Sequence, residues 1–208
     1  MDRRSFLGLG AGLGLSLGAG LVPLLVPTRA LAAQAPNEPN SRAAQSGFFP
    51  NVPLVDQDGK SVMFYDDMVK NKTVLLNFFL IGCQDGRCPI ATANLRKVQD
   101  MLGDRMGKDV FFISVTLQPE LESPKILKKY ADSFEVKPGW SFLTGKPHDI
   151  ETLRRSLGYF DPDPERDRDL NNHIGMARYG NDKFNRWGAI SLRSSPANIA
   201  STFQWLGI

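Results

Sequence analysis

Cysteine and histidine are scarce in this chain, which has 2 of each among 208 residues. So few cysteines exclude a small fold held together by many disulfides. Charge of one sign is also lacking, because 25 lysines and arginines stand against 22 aspartates and glutamates. A net charge of +3 is far below the basic excess of a dedicated nucleic-acid binder, so no nucleic-acid partner is expected. The remaining composition, 42% apolar and 23% charged, is that of an ordinary globular domain.

The first 35 residues are predicted to be an export signal. Arg3 and Arg4 precede an uncharged, glycine-rich apolar run over residues 6–26, a pattern that resembles a twin-arginine signal. Small residues near position 33 offer cleavage sites, and an uncleaved membrane anchor is the alternative. Either outcome places the protein outside the cytoplasm, in the periplasm or another exported location. Residues 36–47, rich in Pro, Asn and Ser, are predicted to be a flexible tether.

Residues 48–208 are predicted to form an α/β domain, because strand-like and helix-like apolar periodicities alternate along them. Buried strands are expected at 73–81 and 109–116, and a shorter strand at 139–143. The other predicted elements are hairpins at 52–64 and 174–192, the second turning at 180–182, and helices at 89–103, 123–134, 147–157 and 196–206. This order is typical of a thioredoxin-like fold with an N-terminal hairpin extension.

The two cysteines are the best candidates for chemistry. Cys83 follows the first buried strand, and Cys88 stands where the next helix begins. A helix N-terminus stabilises anions, so thiolate there is available for nucleophilic attack or metal binding. Four intervening residues, including Gly86, allow the pair to close either a disulfide or a two-sulfur metal clip. The alternative is a purely structural disulfide that cross-links the loop and takes no part in chemistry.

The histidines differ in their setting. His148 stands at a helix start, where an exposed polar residue is ordinary. His173 precedes the late hairpin, which a thioredoxin-like sheet returns close to the cysteine loop, so it is a candidate third ligand for a soft metal such as Cu(I). The charged stretch 161–170 before it is predicted to be a solvated loop, with a docking edge or a gate over the site as alternatives.

Four segments in this order resemble the SCO/SenC family of copper-binding, thioredoxin-like proteins. The segments are Val74–Pro89 with both cysteines, Phe111–Val115, Trp140–Gly145 with its Phe-Leu-Thr-Gly, and His173. The resemblance implies copper as the ligand, Cu(I) or Cu(II), bound by Cys83, Cys88 and His173. It also implies a role in delivering copper to the CuA site of cytochrome c oxidase, or in keeping the thiols of that site reduced. The implied partner is an oxidase subunit or another periplasmic thiol or copper protein.

Two departures from the family pattern stand near the proposed metal. The family has three residues between its cysteines, whereas this chain has four, among them Asp85. The family also carries Asp-Pro-x-x-Asp after the second buried strand, where this chain has Gln-Pro-Glu-Leu-Glu. An acidic function there is therefore lost, or displaced to Glu120 or Glu122.

Two other functions remain open. In a thiol-disulfide oxidoreductase, Cys83 would attack a partner disulfide and Cys88 would resolve the mixed disulfide, forming a Cys83–Cys88 bond. A thiol peroxidase-like redox protein is the weaker alternative, since fold alone does not define function. A copper carrier depends on His173, whereas a disulfide exchanger does not.

Overall fold

The structure is a computed structural model that describes residues 48–83, 86–173 and 175–206. The predicted export signal and tether, residues 1–47, lie outside the described residues and stay predictions. Within the described ranges, no helix is both long enough and apolar enough to cross a membrane.

One seven-stranded sheet organises the domain, with the strand order β2-β1-β5-β4-β3-β6-β7. The strands are β1 (Pro53–Asp56), β2 (Ser61–Met63), β3 (Thr73–Phe79), β4 (Val110–Thr116), β5 (Trp140–Gly145), β6 (Met176–Asn181) and β7 (Arg186–Ser191). β3 pairs in parallel with β4, and β4 with β5, while the other pairings are antiparallel. The predicted α/β class and the N-terminal hairpin, β1 with β2, are confirmed.

Helices cover the sheet, as the buried central strands require. They are α1 (Arg87–Leu102), α2 (Pro124–Ser133), α3 (Pro147–Ser156), the short α4 (Pro164–Asp167) and α5 (Pro196–Trp205). A π-helix spans Phe64–Val69, and 3-10 turns span Gly103–Arg105 and Leu170–His173. All seven residues of β3 are buried, which is why its sequence is mostly apolar rather than alternating. The buried Asn77 accepts a hydrogen bond from the hydroxyl of Ser114 on β4.

The candidate site residues lie towards one edge of the sheet. The carboxyl ends of the parallel strands β3 and β4 meet there, and the cysteine loop follows β3. β6 runs antiparallel to β3 with Ala177 opposite Asn77, so its first residue, Met176, lies at the same edge. His173 is only three residues further back in the chain.

The structure corrects two predicted boundaries and one predicted loop. Helix α1 begins at Arg87 rather than Pro89, since Gly86 adopts a left-handed φ of 70° and ends the loop earlier. The late hairpin turns after Asn181 rather than at 180–182. The charged stretch 161–170 is not simply a solvated loop, because α4 lies within it and one of its carboxylates, Asp167, is buried.

Candidate metal and thiol site

The two cysteine sulfurs lie at the start of helix α1, where backbone amides reach both. The amide of Cys88 donates to Cys83 Sγ at 3.4 Å. The amide of Leu80 donates to Cys88 Sγ, also at 3.4 Å. The two residues are not joined by a disulfide in this structure. Donation from backbone N–H groups stabilises negative charge on sulfur, which suits metal binding and nucleophilic attack alike.

Exposure distinguishes the two thiols. Cys88 is 2% exposed, whereas Cys83 is half-buried in the loop that follows β3. Cys83 is therefore the sulfur that an incoming partner or metal meets first. Asp85, considered from the sequence as an oxygen ligand, lies outside the described residues.

Glu122 supports the backbone that leads into the cysteine loop. Its Oε1 accepts the amide of Ile81 at 2.7 Å, and its Oε2 accepts the hydroxyl of Thr116 at 2.5 Å. Burial raises the pKa of this carboxyl, although both hydrogen bonds oppose that shift. Glu120, the other glutamate considered from the sequence, is exposed. Of these two glutamates, Glu122 is thus the buried one.

A buried phenol, that of Tyr130, lies near the cysteines. Tyr130 Oη lies 2.9 Å from Thr92 Oγ1, and Thr92 donates to the carbonyl of Cys88. Burial raises the pKa of Tyr130 to about 12, and the nearby Cys88, Glu122 and Cys83 add to the shift. Tyr130 therefore stays neutral and keeps its proton at any physiological pH.

His173 is buried within a network of charged side chains that includes Arg154. All five N–H donors of the Arg154 guanidinium are used: by Glu151 twice, by Asp167 twice and by the carbonyl of Tyr159 once, at 2.7 to 2.8 Å. Arg154 Nη1 also lies 3.0 Å from His173 Nε2, but both of its protons point to other acceptors. Arg154 therefore has no proton left to donate to the imidazole.

The tautomer of His173 follows from this count. Its Nε2 lies 2.8 Å from the backbone carbonyl of Asp167, which can only accept. Nε2 must then carry the proton, and Nδ1 is left with a free lone pair in the neutral ring. Metal-binding histidines commonly donate their other N–H to a carbonyl or carboxylate in this manner. Nδ1 is thus the ring nitrogen through which His173 could bind a metal.

The carboxylate of Asp167 completes the network. It receives a bidentate ion pair from Arg154, a contact from Arg155 at 2.8 Å and the amide of Asp161 at 2.8 Å. These donors, Arg154 foremost, hold the pKa of Asp167 well below its usual range. The network fixes the segment that carries His173 onto helix α3.

The structure brings some of the predicted residues together and leaves others apart. Cys83 and Cys88 adjoin each other, whereas His148 is exposed at the start of α3. Among the described residues, no three His, Cys, Asp or Glu side chains surround one point, so His173 is not yet grouped with the cysteines. The three-ligand set and the disulfide stay predictions.

Sequence reasoning missed Arg154. The residue falls on the buried side of α3 with Ile150 and Leu153, so its helical position carried a usable signal. An arginine on an apolar face requires a carboxylate partner. The charged stretch after α3 was the place to seek that partner, and it supplies Asp167.

Comparison with known proteins places this fold in a defined class. The SCO1/SenC family model matches residues 41–184. The SCO1 protein homolog of Bacillus subtilis is 35% identical over 91 residues, which cover 43% of this chain and 45% of that protein. The matched region thus spans about half the length of this curated relative.

Two solved structures share the fold. Bradyrhizobium japonicum ScoI with copper bound is 25% identical, with a TM-score of 0.58, over 74% of this chain and 96% of that one. BsSco, described with a disulfide switch and as a member of the Sco family of cytochrome c oxidase assembly proteins, is 26% identical. Its TM-score is 0.57, over 76% of this chain and 93% of that one. The domain is therefore a thioredoxin-like α/β protein of the Sco type.

The chain belongs to the SCO1/SenC family.

Proposed function

We propose that this protein binds copper through Cys83 and Cys88, with His173 as the third ligand, and serves in the assembly of cytochrome c oxidase. The observation that carries the proposal is the donation of the Cys88 amide to Cys83 Sγ, which places the Cys83 sulfur 3.4 Å from the backbone of Cys88 at a helix N-terminus. The copper-bound Sco relative of the same fold supports copper as the metal.

The donor set suits copper chemically. Thiolate and imidazole are soft to borderline ligands, which Cu(I) prefers over carboxylate or water. The hydrogen bond from His173 Nε2–H to the Asp167 carbonyl leaves Nδ1 to bind the metal. Ligation by all three residues requires the Leu170–His173 turn to approach the cysteines when copper binds. Copper would then pass to an oxidase subunit, at its CuA site, by exchange of these ligands.

A competition titration tests the proposal. The reduced protein is titrated with Cu(I) and with Cu(II) against a competing chelator, beside Cys83→Ser, Cys88→Ser and His173→Ala. We expect one tightly bound copper and at least a tenfold loss of affinity, roughly 1.4 kcal/mol, in each variant. His148→Ala is the matched control and should bind as the wild type does. Tight binding that is indifferent to the cysteines would refute the site.

Thiol-disulfide exchange is the second candidate, and the unequal exposure of the two thiols favours it. The half-buried Cys83 thiolate would attack a partner disulfide, and one partner sulfur would leave as a thiolate. Cys88 would then displace the second partner sulfur, so the partner gains two electrons and Cys83 and Cys88 become a disulfide. The disulfide switch described for BsSco supports such a bond.

The two candidates differ in their dependence on His173. His173→Ala should leave the exchange rate with a model disulfide near the wild-type value, whereas Cys83→Ser abolishes it. If the wild type binds no copper but exchanges disulfides rapidly, the exchange function replaces the carrier function. The reduction potential of the pair would then be the quantity to measure.

Export is part of the proposed function. We propose that residues 1–35 direct the chain to the periplasm, where they are cleaved or retained as an anchor. Expression with and without Arg3→Lys and Arg4→Lys, followed by fractionation and mass measurement of the N-terminus, tests both points. Unchanged export of the double variant would refute a twin-arginine signal.

A further inference from the structure

A cavity beside His173 opens at the cysteine edge of the sheet. Its volume is about 260 Å³, and Tyr159, Phe160, His173, Met176 and Arg178 are among the residues that line it. Neither cysteine is among its described lining residues. The cavity therefore offers His173 a set of neighbours different from the proposed cysteine site.

Met176 supplies the sulfur in this cavity. Met176 is 44% exposed, although methionine is among the residue types that are most often buried. Its backbone is held firmly, because Met176 pairs with Ser191 of β7 and its carbonyl accepts the hydroxyl of Tyr159 at 3.4 Å. A flexible thioether thus reaches the cavity from a fixed backbone, and a thioether is a soft ligand that Cu(I) accepts.

His173 supplies the nitrogen. All of its hydrogen bonds recorded among the described residues run through Nε2, and the count of Arg154 protons places the ring proton there. Nδ1 is therefore the ring atom with a lone pair to give. One imidazole and one thioether make a neutral, soft pair of donors.

The charges around the cavity favour a monovalent ion. The guanidinium groups of Arg178 and Arg154 lie close to it, balanced by the carboxylates of Asp161 and Asp167. Both carboxylates are already engaged, Asp161 with Arg166 at 3.1 Å and Asp167 with Arg154 at 2.8 Å. Because these charges balance, the cavity has no spare negative charge to attract a divalent cation, whereas a neutral imidazole and thioether suit the soft, singly charged Cu(I).

We propose that His173 Nδ1 and Met176 Sδ form a second Cu(I)-binding position, distinct from the cysteine pair and used when the cysteines are not available. The inference rests on the proposed role of the protein in copper binding, because only then does Cu(I) reach the domain. It adds a methionine ligand and a position at which copper remains on the protein while Cys83 and Cys88 are oxidised.

The test removes the cysteines first. The Cys83→Ser/Cys88→Ser protein is titrated with Cu(I), and with Zn(II) as a divalent probe, against a competing chelator. We expect one Cu(I) and little Zn(II), with at least a tenfold loss of Cu(I) affinity on adding Met176→Leu. The control is Met101→Leu, at 57% exposure in the last turn of α1, which should change nothing. X-ray absorption of the copper-loaded Ser variant should show a sulfur neighbour that Met176→Leu removes.

Each outcome decides one of the two proposals. Equal affinity in the Met176→Leu and Met101→Leu proteins, or absence of a sulfur neighbour, overturns the second position. Failure of the Ser variant to bind any Cu(I) also overturns it, while leaving the cysteine site intact. Conversely, equal copper affinity in the wild type and in the Cys83→Ser/Cys88→Ser protein overturns the proposed function. In that case the effect of Met176→Leu on Cu(I) affinity, measured in the Ser variant, still decides the second position.

Discussion

Replacing Asp167 with asparagine is the sharpest test of the network that holds His173. The substitution keeps the size and the backbone of residue 167, including the carbonyl that accepts from His173. It removes the charge that Arg154 meets with two hydrogen bonds of 2.8 Å. Because Asp167 is only 8% exposed and the side chain of Arg154 only 4%, water cannot replace the lost partner freely.

The size of the stability loss follows from the hydrogen bonds that Arg154 and residue 167 retain in the variant. Removing one partner of a buried ion pair costs about 3–5 kcal/mol. Arg154 retains Glu151 and the carbonyl of Tyr159, and the asparagine oxygen can still accept one hydrogen bond. We therefore expect the low end, a loss of about 3 kcal/mol in the free energy of unfolding at neutral pH. With a urea m-value of about 2 kcal/mol/M, the midpoint falls by about 1.5 M.

Urea unfolding followed by tryptophan fluorescence measures this loss. The control is Glu165→Gln in the same short helix, whose partner Arg168 is as exposed as Glu165 itself. That variant should stay within about 0.5 kcal/mol of the wild type, as surface substitutions do.

The pH dependence supplies an independent check. The pKa of Asp167 is lower in the folded than in the unfolded protein, so its contribution is full above the ordinary value of 3.8 and is lost as the pH falls. The stability difference between the wild type and Asp167→Asn should therefore shrink in acid. A variant that matches Glu165→Gln at neutral pH, or a difference that does not change in acid, would refute the account of the network.

Three further predictions concern residues around the sheet. Glu122→Ala leaves a buried amide and hydroxyl without an acceptor and should cost about 2 kcal/mol in urea unfolding, whereas Glu120→Ala, at an exposed neighbour, should be nearly neutral. Because folding raises the pKa of Tyr130 from 10 to about 12, its contribution to stability is full below pH 10 and is lost as the pH rises through 12. Stability measured from pH 9 upward should therefore fall less steeply with pH in Tyr130→Phe than in the wild type. Equal slopes in the two proteins would contradict the burial argument. Gly180→Ala places a methyl group 2.5 Å from the carbonyl of Arg186 and still closer to the Trp187 ring, so we expect a large drop in melting temperature. An unchanged melting temperature would show that the β6–β7 hairpin shifts to accommodate the methyl group.

Much of the fold could be predicted because its signals are local. The apolar run of β3 and the proline at the start of the three predicted helices α2, α3 and α5 each reflect the chemistry of a few neighbouring residues. The position of the cysteines at a strand end and a helix start follows from the same local patterns. The start of α1 was misplaced by two residues, since Gly86, rather than Pro89, decides where the loop ends.

The surroundings of His173 could not be predicted, because they depend on contacts between distant segments. Nothing in the sequence near His173 indicates which of its ring nitrogens carries the proton. That information lies in the donors of Arg154, 19 residues away, and in how many of them are already used. A charged stretch looks solvated when considered alone, and only packing against α3 shows that Asp167 is buried.

The saturated guanidinium of Arg154 also affects how the domain moves. Its five donors join helix α3, the carbonyl of Tyr159 and helix α4, so none of these parts can separate without breaking several charge-assisted hydrogen bonds together. In native-state hydrogen exchange, amides from α3 through α4 should therefore open as one cooperative unit rather than fray residue by residue. His173 is mounted on that unit, so its approach to the cysteines would be a rigid displacement of a whole segment, on a slower timescale than the rotation of a single side chain.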